Sequence, residues 1–153
     1  MENISPHITF AEATKSQTAI RFGIINKPDQ KAIILMKQVA IECYEPCREH
    51  FKKPIGISSF YRSPELNKVV NGSRISQHTK GEAIDIDADI SGGLTNSELF
   101  IFIKNNIIFD QLIWEFGNEN EPDWVHVSYC EANNRRQIFR SINMRGKTTY
   151  TNL

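Results

Sequence analysis

Ser76-Gln77-His78-Thr79-Lys80-Gly81-Glu82-Ala83-Ile84-Asp85-Ile86-Asp87-Ala88-Asp89 is a polar, glycine-containing loop that runs into a strand. From Ala83 the side chains alternate. Asp85, Asp87 and Asp89 therefore fall on one face by the two-residue period of a strand. Three carboxylates on one face repel one another unless a cation neutralises part of the charge. A calcium-loop reading of Asp-x-Asp-x-Asp fails. Its sixth position is Ile90 where Gly is needed, and its twelfth is Asn96 where a bidentate Glu is needed.

Further along, Trp124-Val125-His126-Val127-Ser128 reads as a second strand. His126 sits there among apolar neighbours, where burying an imidazole without a partner is costly. His78, Asp85 and His126 together offer two imidazoles and one carboxylate. A catalytic zinc takes three protein ligands and keeps its fourth position open, so this set predicts a zinc site in a small hydrolase. Each imidazole's outer nitrogen then wants an acceptor of its own.

Asp123 precedes His126 by three residues and is the candidate acid–base carboxylate. Residues three apart on a strand face opposite sides, so this role puts Asp123 in a bend before the strand, which Pro122 favours. Glu115 and Glu121 are the competing carboxylates. Arg62 follows Phe60-Tyr61 at a strand end. It suits polarising a substrate carbonyl or binding a carboxylate in bidentate fashion.

The rest of the chain frames these residues. Its 153 residues predict one domain, 1–153. The net charge of zero supplies no field to draw it to nucleic acid or an anionic membrane. Basic residues from Arg135 to Lys147 read as a solvated face. The start, Met1-Glu2-Asn3-Ile4-Ser5-Pro6, has no basic or apolar signal region. No apolar run approaches the ~20 residues of a membrane span. The expectation is synthesis in the cytoplasm. Three cysteines argue against a disulfide framework.

Residues 1–28 read as extended or loop-rich. Asp29 is placed to cap a helix from Gln30 to Phe51, with Ile33, Met36, Ala40, Cys43 and Cys47 on one face and a kink expected at Pro46. Cys43, Cys47 and His50 form a tempting metal face, but both cysteines lie on the apolar stripe and read as core. Ile55 to Phe60 reads as a strand. Ser63-Pro64 opens a helix that Asn71-Gly72 ends. Thr95-Asn96-Ser97-Glu98 is a capping box for a helix to about Asn106. Gln111–Phe116 and Trp124–Tyr129 are further strands. The mixture predicts an α+β fold, a central, mostly antiparallel sheet flanked by helices.

From Ile57 to Ile86 the chain resembles the zinc D-alanyl-D-alanine peptidases, grouped with lysostaphin-type enzymes and the hedgehog signalling domain. The resemblance rests on Ser59-Phe60-Tyr61-Arg62-Ser63, Asn67, Val70-Asn71-Gly72-Ser73, Ser76-Gln77-His78 and Gly81-x-Ala83-x-Asp85-Ile86. Trp124 to Ser128 is similar to the family's second histidine strand. The region from Phe10 to Pro28 resembles the small, single-domain, phage-type branch.

What the resemblance implies is specific. His78, Asp85 and His126 match the zinc ligands, and Asp123 the acidic residue three before the last ligand. Arg62 matches an arginine that stabilises the developing oxyanion, and Ser76 a substrate-contacting position. The implied activity is cleavage next to D-amino acids in peptidoglycan stem peptides, as a carboxypeptidase or endolysin-type endopeptidase. The expected partner is the wall peptide, met after release from the cell, by a monomer that binds neither nucleic acid nor membrane. The alternative is a non-catalytic, zinc-stapled binding module of hedgehog type. Asp123 and Arg62 are the equipment that separates the two.

Overall fold

The computed structural model describes residues 3–153. Met1 and Glu2, where the search for a signal region begins, lie outside the described residues. The strands are β1 (Gly56–Ser59), β2 (Ala83–Asp87), β3 (Gln111–Glu115), β4 (Trp124–Ser128), β5 (Gln137–Met144) and β6 (Lys147–Asn152). They form one six-stranded sheet in the order β1-β2-β4-β3-β5-β6. Every neighbouring pair is antiparallel except β3 with β5, which is parallel. With its helices this is an α+β fold.

The N-terminal stretch is not the loop its composition suggests. It carries α1 (Phe10–Thr14) and α2 (Gln17–Phe22). Thr9 and Glu12 form a capping box, and the Ser16 hydroxyl accepts the Ala19 N–H at 3.2 Å. Both helices are too short to show a periodic apolar face, so only their caps announce them.

The long predicted helix is three pieces: α3 (Gln30–Val39), a π-turn (Ala40–Tyr44) and α4 (Glu45–Phe51). Asp29 caps it through the Ala32 N–H at 2.8 Å. Pro46 falls in the first turn of α4, directly behind the π-turn. The widened turn before it, closed from the Glu45 N–H to the Ala40 carbonyl, takes up the offset expected as a kink. Ser63 caps α5 (Pro64–Val69), and Thr95 with Glu98 caps α6 (Asn96–Asn106).

Alternation along the strands separates two faces. Ile84, Ile86, Leu112, Trp114, Val125 and Val127 join Met36, Val39, Cys43, Leu99, Phe100 and Ile103 in the core under the helices. Each such buried side chain is worth about 1.5–3 kcal/mol. That burial fixes the register and therefore turns the alternate residues, Asp85 and His126 among them, to the opposite face.

Two boundaries differ from expectation. β2 stops at Asp87, and Asp89 opens a 3₁₀ turn (Asp89–Ser91), because the Ala88 N–H is taken by Asn96 Oδ1 at 2.7 Å. The basic C-terminal stretch is the β5–β6 hairpin. Arg145 (φ 53°) and Gly146 (φ 82°) make its two-residue turn, the conformation that matches strand twist. No helix among the described residues is long and apolar enough to cross a membrane.

Candidate metal centre

Asp85 of β2 and His126 of β4 are direct register partners, so their side chains leave one face side by side. His78 comes to them from a 3₁₀ turn, Gln77–Thr79. Gly81 follows this turn with φ +80°, and a Cβ there would lie 2.6 Å from the Ala32 carbonyl oxygen. Only glycine lets the loop press so closely on α3. Gln77 Nε2 also donates to Asp110 Oδ2 at 2.9 Å. Asp110 is held by the Arg135 guanidinium at 2.6 and 2.7 Å, which keeps its carboxyl below the usual range despite burial.

The result is a convergence of three donor atoms. His78 Nε2 lies 3.1 Å from Asp85 Oδ1 and 3.2 Å from His126 Nδ1, and His126 Nδ1 lies 2.9 Å from Asp85 Oδ1. Zinc bonds of about 2.0–2.1 Å set neighbouring ligand atoms of a tetrahedron about 3.3–3.4 Å apart. The three donors therefore fit one face of a zinc tetrahedron with small adjustment. All three residues are buried.

At His78 and Asp85 the electrostatics run in the direction a cation site needs. Burial holds the His78 imidazole neutral, below its ordinary value, with the Arg62 charge adding to this and Asp85 opposing it. Burial works against ionising Asp85, but His78 and His126 outweigh it and hold the carboxyl far below the usual range. Neutral imidazole and ionised carboxylate are the forms that bind a cation. His78 Nδ1 faces the Phe60 carbonyl at 2.7 Å, the outer acceptor a ligating imidazole needs.

Arg62 lies beside the group. Its backbone N–H donates to the His78 carbonyl at 3.2 Å, and Nη2 is 3.8 Å from Asp85 Oδ2. Its Nε is buried without a partner. Asp123 stands just before β4 with an exposed side chain, and its N–H donates to the Glu115 carbonyl at 2.9 Å. It thus occupies the bend that its expected role requires. Ser76 lends its backbone carbonyl to Thr79, and its side chain is half-buried at the start of the 3₁₀ turn.

Asp87 turns to other work. It accepts from Asn96 Nδ2 at 3.1 Å, and burial and hydrogen bonding to Asp89 raise its carboxyl to about 6. Cys43 and Cys47 are buried in the core, where loss of hydration pushes the Cys47 thiol up to about 12. His50 stacks on Phe102 at 4.2 Å. None of these residues belongs to the centre.

Sequence reasoning underrated one neighbour and missed another. Glu115, on β3 opposite Trp124, is buried and bonded by the Ser141 hydroxyl of β5. Burial raises its carboxyl, partly offset by the Ser141 hydrogen bond. Tyr150 of β6 pairs with Ser141 and so stands on the same face. The Arg145-Gly146 turn signal was the clue that could have found it.

A sequence model of the Peptidase M15 family matches residues 6–128. Comparison with curated proteins returns no match.

Proposed function

From the chain's membership of the Peptidase M15 family, which makes it a peptidase, we propose a zinc-dependent enzyme that cleaves peptide bonds next to D-amino acids in peptidoglycan stem peptides. The observation that carries this reading is the convergence of His78 Nε2, Asp85 Oδ1 and His126 Nδ1 within 3.2 Å of one another. His78, Asp85 and His126 would hold the ion. When bound, zinc supplies a Lewis acid that polarises a carbonyl and makes water a nucleophile near neutral pH.

The chain's other groups complete the chemistry. Asp123, exposed in the bend three residues before His126, accepts the proton of the attacking water and delivers it to the departing amine. Arg62, fixed by its contacts to His78 and Asp85, stabilises the negative charge that develops on the carbonyl oxygen. Ser76 contacts the substrate from the start of the His78 turn. The wall peptide is the partner, met outside the cytoplasm.

The test is mass spectrometry of purified muropeptides after incubation with the zinc-loaded chain. Shortened stem peptides are the expected product. Asp123→Asn should keep its zinc and lose roughly 10²–10⁴ in turnover. If the zinc-loaded chain cuts no wall peptide, the ion only staples a binding module.

A further inference from the structure

A cleft of about 330 Å³ opens beside the metal centre, between the start of α2 and the end of β1. It is walled by the N-terminal segment, which Asn26 ties down. The Asn26 amide donates to the Thr14 and Tyr61 carbonyls at 2.9 and 3.0 Å and accepts the Ser63 N–H at 2.7 Å. The charged side chains lining the cleft are two cations, Lys15 and Arg62. Hydroxyl-bearing Ser16, Thr18 and Ser59 surround them. Among the described residues no carboxylate lines it.

Arg62 links this cleft to the metal centre, since its Nη2 approaches Asp85. Ser59, the register partner of Asp85, forms part of the same wall. The buried Nε of Arg62 has no partner, a donor left open where a native fold rarely leaves one. The nearby carboxylate of Glu12 feels the charge of Lys15 but is already engaged by the Thr9 hydroxyl and N–H. Two cations and several hydroxyls on a wall that carries no carboxylate of its own are the recognition chemistry of a carboxylate.

We propose that this cleft binds a carboxylate of the substrate and that Lys15 is a specificity-determining residue. The proposal rests on the peptidase reading for what carries the carboxylate. A peptide offers two sources, its free C-terminus and an acidic side chain, and both present the same group to Lys15. Lys15 sits at the C-terminal end of α1 with an exposed side chain, so its replacement leaves the packing of the fold untouched.

Nuclear magnetic resonance titration of the zinc-loaded full chain tests this with three small probes. N-acetyl-D-alanine carries a terminal carboxylate, its C-terminal amide carries none, and N-acetyl-D-glutamic acid α-amide carries only a side-chain carboxylate. At least one acid should bind roughly tenfold tighter than the amide, the factor expected for one hydrogen bond to a charged group. The tighter acid identifies the source. Lys15→Gln should erase that preference, and Lys15→Arg should keep most of it. Equal binding of acids and amide, an unchanged preference in Lys15→Gln, or no binding of either acid would overturn the proposal. Cleavage is scored separately. Carboxylate binding without cleavage of wall peptides sinks the peptidase reading and leaves the subsite. Cleavage without the Lys15-dependent preference sinks the subsite alone.

Discussion

Asp85 and Glu115 are two carboxylates on one sheet face with opposite fates. Asp85 has two imidazoles and a guanidinium within reach and stays ionised. Glu115 is buried with a hydroxyl as its hydrogen-bond partner, and burial raises its carboxyl. Because the folded state of Glu115 holds its proton more tightly than the unfolded chain does, its favourable share is whole below the ordinary carboxylate range. That share is lost as pH rises through the raised value. Glu115→Gln removes this titration and keeps an acceptor for Ser141. In metal-free protein its melting temperature should therefore gain on the parent's as pH rises above the ordinary carboxylate range, read by calorimetry at each pH. An advantage that shrinks with pH would contradict the burial argument. Residue types and spacing made the grouping of His78, Asp85 and His126 legible in the sequence. The state of Glu115 was not legible, because its partner Ser141 comes from a strand 26 residues away.

At the scale of elements, the loop between the His78 turn and β2 is set by contact with α3. Gly81→Ala would bring a Cβ within 2.6 Å of the Ala32 carbonyl and hold a left-handed φ against a side chain. The cost should exceed the roughly 0.4–1 kcal/mol by which the same change stabilises a compatible site, with the sign reversed. Urea unfolding would show the lowered midpoint, and zinc affinity should fall with it because His78 shifts. A variant as stable as the parent would mean that the loop does not lean on α3. Caps made α5, α6 and the start of α3 readable from sequence. The short helices α1 and α2 escaped because a turn and a half of helix has no measurable apolar period. The π-turn arose where Pro46 had to be reconciled with an otherwise continuous apolar stripe.

Across the whole molecule, the cluster of His78, Asp85 and His126 forms only when distant parts of the chain are folded together, since 48 residues separate His78 from His126. Zinc should then stabilise the fold by mass action, about 4 kcal/mol at a thousandfold excess over its dissociation constant. The gain should show as a higher melting temperature, and His126→Ala should abolish it. A zinc-independent melting temperature in the parent would deny the site. The α+β plan was readable because the strands around Asp85 and His126 carry strong alternating or apolar patterns. The β5–β6 hairpin was not, because its outer strand, Lys147–Asn152, is polar apart from Tyr150 and its signal is a two-residue turn. That hairpin has a consequence for solubility. β5 occupies the flank of β3, whose Leu112-Ile113-Trp114 run is buried and apolar on both faces. Remove residues 137–153 and β3 becomes a bare sheet edge, a template for intermolecular strand pairing. The truncated chain should precipitate at concentrations where the intact chain stays in solution, as light scattering would register. In the intact chain the edge on that side is β6, where Lys147 and a row of threonines face water in place of the apolar run of β3, a far poorer template for pairing.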